Sequence, residues 1–333
     1  MGVDDALVPY ARVFLATYTL GAPATAMASA LTHHRQAVGD VRSTMVVGLT
    51  ANVINGLLGW SLIYGHAGLP ALGVRGGALA TASAEWLEAL ALGTLLLRDM
   101  RRSRDYEEAR RALSLRSALR EVATVGVPTG VQFGSETLAF ATFTTILGTL
   151  GPDQIAAHQI ALATIRTSFL PGAAISEGAG VLVGRALGRR CLPDADRATR
   201  AALLVAVSFM ASCGAVFALT AGDIAYAFAG DEAVAHTART LLWIAAGFQV
   251  LDAVAIVLRG ALRGAKDVRV PAAIGIAVVW TCVPTAAWVL GKRCGLGAAG
   301  GWCGFVAETA LGALLFARRW RRGGWRAAYA PSG

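Results

Sequence analysis

Ala201 to Thr220 reads AALLVAVSFMASCGAVFALT, twenty residues without a charge. Wound as an α-helix rising about 1.5 Å per residue, such a run spans about 30 Å, the hydrocarbon thickness of a bilayer. Its flanks differ in kind, with Arg197 and Arg200 before it and Asp223 after it. The stretch assigns the chain to the membrane and gives the unit by which the rest is read.

Composition agrees. Of 333 residues, 55% are hydrophobic and 15% charged, and the mean hydropathy is +0.55, outside the range of ordinary soluble domains. Comparable apolar runs lie near Ala11 to Leu31, Met45 to Tyr64, Ala78 to Leu97, Val122 to Leu147, Ile155 to Val183, Val234 to Leu258, Val270 to Leu290 and Ala298 to Phe316. With the first stretch they predict nine transmembrane helices, an all-α polytopic membrane protein. Gly, Ala and Thr recur within the runs, as close helix packing in lipid requires. Met1 to Pro9 carries Asp4 and Asp5 where a signal peptide would be basic, so the first run is expected to stay in the protein. Cys191, Cys213, Cys282, Cys294 and Cys303 form no CxxC pair and predict neither a zinc site nor a disulfide framework.

The net charge of +9 raises the question of a nucleic-acid partner, which the positions of the basic residues answer. They fall in alternate loops: Arg35 and Arg42; eight arginines from Arg98 to Arg120; Arg185 to Arg200; Arg259, Arg263, Lys266 and Arg269; and Arg318 to Arg326. These hold 24 of the 30 lysines and arginines. The positive-inside rule makes that side cytoplasmic and the C-terminus with it, so the charge reports topology and no nucleic acid is expected.

Two segments recur. Gly39-Asp40-Val41-Arg42 matches Lys266-Asp267-Val268-Arg269, and Leu72-Gly73-Val74-Arg75-Gly76-Gly77 matches Leu296-Gly297-Ala298-Ala299-Gly300-Gly301, at offsets of 227 and 224 residues. Both copies enter a helix from the same side, the mark of a parallel duplication. Three runs precede the motif in the second half but one precedes it in the first. The repeat therefore predicts three helices ahead of Met1.

Several stretches resemble the multidrug and toxic compound extrusion (MATE) family: VPTGVQFGSE (Val127 to Glu136), GPDQIAAHQIA (Gly151 to Ala161), GAGVLVGRALG (Gly178 to Gly188), LRGALRGAKDVRVP (Leu258 to Pro271) and LIYGHAGLPALGVRGGALAT (Leu62 to Thr81). The resemblance covers almost the whole chain. It implies a two-lobe MATE-like bundle in which the nine runs match helices four to twelve of the usual twelve. Residues 1–100 then form an incomplete N-terminal lobe, 101–120 a basic linker, 121–320 a complete C-terminal lobe and 321–333 a cytoplasmic tail.

Two acids lie inside the runs. Glu136 is eleven residues, roughly 17 Å, from the outer end of its run. Asp252 precedes Arg259 by seven. Inserting an Asp at mid-membrane costs roughly 2.5 to 3.5 kcal/mol, so such acids face a bundle interior or a wet cavity and often mark an ion path. The opposing reading is a neutral acid hydrogen-bonded to a neighbouring helix. The resemblance implies the functional one, with Glu136 and Asp252 matching cation-coupling acids that bind Na+ in sodium-coupled members, or H+ otherwise. Phe248, one turn before Asp252, departs from those relatives in offering no aromatic hydroxyl. The repeat equivalent of Asp252 is Thr25.

Phe248, Gln132, Gln249 and Arg166 are the further candidates for lining a cavity, and Arg166 either reaches for the interface or pairs with an acid such as Glu136. Glu85, Glu88 and Glu308 are other acids within the runs. Pro128, Pro171, Pro271 and Pro284 are candidate kinks. No nucleophile, metal cluster or phosphate loop points to an enzyme, and the resemblance implies no cofactor beyond Na+ or H+ as coupling ion. It implies an antiporter in a bacterial plasma membrane, monomeric when full length, contacting lipid and exporting organic cations, drugs or other small xenobiotics by alternating access. A flippase for lipid-linked saccharides, with a more basic cavity, and a truncated non-transporting remnant are the alternatives.

Overall fold

The computed structural model describes residues 8–102 and 114–329. Asp4, Asp5, the middle of the expected linker with Arg104, Arg110 and Arg111, and residues 330–333 of the expected tail lie outside the described residues. Ten α-helices follow in order: α1 (Val8–Tyr18), α2 (Ala22–Val38), α3 (Val41–Tyr64), α4 (Gly73–Arg102), α5 (Leu115–Gly148), α6 (Pro152–Gly188), α7 (Leu192–Phe228), α8 (Glu232–Gly264), α9 (Arg269–Ala286) and α10 (Gly297–Arg322). A π-helix, Ala287–Arg293, continues α9. The chain divides into two compact units, Met1–Leu115 and Arg116–Gly333. Among the described residues, α3, α7, α8, α9 with its π-helix, and α10 are long and apolar enough to cross a membrane. The fold is an all-α polytopic membrane bundle, and each apolar run of the sequence lies on a helix or, for the first, on a pair.

That first run, Ala11 to Leu31, is broken. Thr19 to Gly21 form turns between α1 and α2, because Pro23 supplies no amide to the helix before it and suits the first turn of a new one. The break is sealed by protein: the Trp86 indole N–H donates to the Leu20 carbonyl at 3.1 Å. Gly21 sits so close to α4 that a Cβ there would be 3.0 Å from the Ala82 Cα. Irregular backbone at membrane depth persists only where its polar groups are satisfied in this way.

In the first unit α4 packs against α1, α2 and α3. In the second α8 is the central element, packed against α6, α7 and α10. Its contact with α6 is a small-residue seam. Ser176 Oγ donates to the Ile256 carbonyl at 2.7 Å. One turn on, a Cβ on Gly180 would lie 2.9 Å from the Gly260 oxygen, and one on Gly184 would lie 3.4 Å from the Gly264 oxygen. The glycines of GAGVLVGRALG and LRGALRG thus let two backbones touch, replacing the hydrophobic drive that lipid does not supply. Helix α5 joins the same unit through side chains: Trp280 Nε1 donates to Ser135 Oγ at 2.9 Å, and Phe143 packs on Phe305 with ring centroids 4.8 Å apart.

The duplicated segments adopt the same local structures. Gly39 and Lys266 both take positive φ at the turn before the Asp-Val-Arg motif, and Gly73 and Gly297 both do so at the start of the third helix of each copy. Leu72 N–H donates to the Leu62 carbonyl at 2.8 Å, and Leu296 N–H to the Leu290 carbonyl at 3.1 Å. Twenty residues separate Arg42 from Leu62, but 21 separate Arg269 from Leu290. The additional residue is taken up by the π-helix that carries Leu290, whose wider turn accommodates it. Pro284 lies just upstream, where its missing amide loosens the α-helical ladder.

Each copy also ties its turn to the end of its third helix by charge. In the first, the buried Arg35 binds Asp40 through Nε at 3.1 Å and Asp99 of α4 through Nη1 at 2.9 Å. In the second, Asp267 takes Arg319 of α10 at 2.7 and 3.2 Å. The Ser43 hydroxyl and amide, followed by Arg35, hold the Asp40 carboxyl below the usual carboxylate range. A depressed folded value stabilises above the unfolded pKa and is lost as pH falls through the folded one. Asp40→Ala is therefore expected to cost about 1 kcal/mol of stability at neutral pH, as for a lost helix N-cap. The gap in melting midpoint in detergent should shrink as the pH drops below about 4, the ordinary carboxylate pKa.

Helix α8 runs to Gly264, so Arg259 and Arg263, which the spacing assigns to a loop, are helical. The expected linker 101–120 is helical at both ends, since α4 reaches Arg102 and α5 begins at Leu115. Beyond α10 the chain folds back: Trp325 stacks near Trp320 with centroids 4.5 Å apart, Arg326 binds Asp196 at 2.9 Å, and Tyr329 donates to the Ala265 carbonyl at 3.4 Å.

Candidate ion-coupling site

Glu136 projects from the middle of α5, where the sequence places it inside the apolar run. Its carboxylate is held from two directions. Gln132, one turn earlier, donates through Nε2 to Oε1 at 2.9 Å. Arg259 of α8 donates through Nη1 to Oε1 at 3.1 Å and to Oε2 at 3.3 Å. The arginine side chain is 30% and the glutamate 22% exposed, so the pair is shielded and charge-assisted, stronger than one in water. The guanidinium also lies 5.3 Å from the Phe316 ring centre. Its Nε is buried and without a partner among the described residues.

Gly275 explains why the pair fits beneath α9. A Cβ there would come within 2.6 Å of Gln132 Nε2 and 3.1 Å of Glu136 Oε1. Thr129, Gln132, Phe133, Glu136, Arg259, Arg263, Asp267, Val268 and Pro271 line a cleft of about 90 Å³ at the arginine-rich end of the unit. That is room for water or an ion but well below the roughly 300 to 1,000 Å³ of sites that take drug-sized ligands.

Asp252 lies two helical turns from Arg259 on the same face of α8. It is half-buried and feels the charges of Glu308 and Arg259. Glu308, on α10, in turn feels Arg259 and Glu136. Of these acids Glu136 binds Arg259 directly, while Asp252 shares the helix of Arg259 and Glu308 lies on α10, which packs against it. In the first unit Thr25, the repeat equivalent of Asp252, donates to Glu85 of α4 at 2.7 Å.

Of the expected cavity residues, Gln132 alone lines this cleft. Phe248 is buried among Leu241, Ala245, Trp302 and Phe305 in the apolar core. Gln249 is fully buried and donates to Ser168 Oγ at 2.7 Å, leaving its Oε1 without a partner among the described residues. Arg166 is exposed on α6, and the basic partner of Glu136 is Arg259 instead. Counting Arg259 as a loop residue hid it. The seven-residue spacing from Asp252, which puts both on one helical face, was the available signal.

A sodium ion does not fit the acids as they stand. Hard cations take a shell of oxygen ligands, whereas both Glu136 oxygens face a permanently protonated donor. Among the described residues no three His, Cys, Asp or Glu side chains converge to hold a metal.

Comparison with known proteins gives this cluster its context. The MatE family model matches residues 128–288, which include Glu136, Asp252 and Arg259. The chain is 36% identical over 291 residues to the multidrug resistance protein NorM of Burkholderia vietnamiensis, covering 86% of this chain and 62% of that protein. It is 29% identical over 328 residues to a probable multidrug resistance protein NorM of Pasteurella multocida, covering 97% and 70%. The structure aligns with a crystal structure of a eukaryotic MATE transporter at a TM-score of 0.85 and 19% identity, over 98% of this chain and 72% of that one. The chain thus spans about three fifths of the length of its Burkholderia relatives, and the segment 128–288, with the fold around it, is similar to the MATE family.

Proposed function

We propose that the protein is a multidrug efflux transporter that exchanges an inward-moving cation for an outgoing organic cation, drug or other small xenobiotic. The observation that carries this reading is the Glu136–Arg259 pair at membrane depth, with Asp252 two turns along the same helix, in a chain whose relatives are named multidrug resistance proteins. Acids at membrane depth are costly and are kept where an ion must bind. A site that is charged when empty and neutral when filled ties occupancy to conformation, because the ion shifts the population toward the state that binds it better. Substrate would bind elsewhere, since the cleft beside Glu136 is ion-sized. The arginine-rich ends face the cytoplasm in this reading, with the C-terminus among them.

The flippase alternative calls for a basic cavity. Arg259 places a basic group within a helix of the bundle, which the sequence alone does not anticipate, but three acids share its surroundings and leave no surplus of positive charge. Cells producing the protein are expected to accumulate less ethidium than matched controls and to lose the difference when their ion gradients are collapsed. Equal accumulation, together with translocation of a lipid-linked saccharide, would replace efflux by the flippase reading.

A further inference from the structure

Resting on the antiporter reading above, we propose that Arg259 selects the coupling ion: it occupies Glu136 as a built-in cation, excludes sodium from the cluster and leaves proton exchange to Asp252 and Glu308. The geometry carries three steps.

Glu136 is satisfied without any external ion. Both its oxygens accept from one Arg259 nitrogen, and Gln132 supplies a second donor to Oε1. A guanidinium stays protonated at any physiological pH, so this charge cannot leave as a proton. Sodium reaching Glu136 must displace it and leave a partly shielded guanidinium without its carboxylate, which is unfavourable.

The second step concerns what remains. Asp252 lies two turns from Arg259 on the same face of α8, and Glu308 lies on α10, which packs against α8; the Arg259 hydrogen bonds found among the described residues go to Glu136. If all three acids were ionised, the four groups would carry a net charge of −2, of which one unit is removed by each proton taken up. Protons need no coordination shell, whereas sodium needs several oxygens, and Phe248, one turn from Asp252, faces the apolar core without supplying one.

The third step is the surroundings: among the described residues the other cations near the cleft have acids of their own. Arg263, the next base on α8, is engaged 3.6 Å from Glu177 of α6. Asp267 is taken by Arg319 of α10. Helix α9 presents Gly275 to the cluster. Among the described residues Arg259 is thus the cation bound to Glu136.

The test reads sodium binding and ion coupling separately. Purified wild type, Arg259→Gln and Arg259→Lys are melted in detergent in sodium chloride and in choline chloride at equal ionic strength. Wild type and Arg259→Lys, which keeps the charge, are expected to show no sodium-specific shift; Arg259→Gln is expected to rise by about 3 °C, the size of a shift that weak specific binding gives. In everted vesicles, ethidium uptake by wild type should follow the pH gradient and ignore sodium, and Arg259→Gln should become sodium-dependent. Sodium-specific stabilisation of the wild type, or none in Arg259→Gln, overturns the role of Arg259 while leaving efflux standing. The wild-type result decides even where Arg259→Gln does not fold. Ethidium uptake driven by neither gradient overturns the antiporter reading itself and this proposal with it.

Discussion

Asp252→Asn is expected to abolish gradient-driven ethidium efflux while the protein still reaches the membrane in normal amount. The substitution keeps the size of the side chain and removes the charge that, in the proposed exchange, ion occupancy neutralises. Because Asp252 lies two turns from Arg259 on the same helix, an amide there removes an acid from the proposed ion path, and on the proposed mechanism ion occupancy could no longer drive the exchange. A loss of roughly tenfold or more in efflux rate corresponds to about 1.4 kcal/mol of coupling, a small fraction of what one ionised group contributes at low dielectric. Efflux retained at the wild-type rate, with equal protein in the membrane, would take Asp252 out of the mechanism.

Gly264→Val is expected to have the largest effect on folding. Gly264 lies against the Gly180 backbone with no room for a Cβ, and its own carbonyl approaches Gly184. A branched side chain must push α8 from α6, and with it the turn carrying Asp267 and the bond of Ser176 to Ile256. Overpacking typically costs about 1 to 3 kcal/mol where neighbours can yield, and here the neighbour is backbone. The measurable result is a collapse in the yield of monodisperse protein extracted in mild detergent. Gly188→Val is the control, since nothing lies within 4 Å of a Cβ there, and it should behave as wild type.

Much of the architecture was legible in the chain because the bilayer is a demanding solvent. A run such as Ala201 to Thr220 has few alternatives to a spanning helix, and the duplicated Asp-Val-Arg and Leu-Gly segments return as matching turns. The drift in their offset was a sign of unequal copies, but a π-helix is a one-residue difference that apolarity does not register. The break at Gly21 escaped reading because a hydropathy run averages over three residues of turn, although Gly21 and Pro23 mark it.

The acids Glu136 and Asp252 stood out because isolated charges inside apolar runs are conspicuous. Arg259 did not, since a basic residue near a helix end looks like topology until the helix is known to run past it to Gly264. Gln249 and Phe248 share α8 with Asp252, but their sequence neighbourhood says nothing of direction: the helix turns Phe248 into the apolar core and Gln249 onto Ser168. Pairing across helices, such as Glu136 with Arg259, needs the packing of α5 and α8 and has no local signal.

The central claim, that an ion gradient is exchanged for substrate through this protein, is tested most directly in liposomes containing it and no other transporter, with ethidium at equal concentration on both sides and a gradient of protons or sodium imposed across the membrane. The account predicts that the dye moves uphill, against the direction of ion flow, and that an ionophore for the driving ion ends the movement. Dye that stays equally distributed under both gradients would contradict it.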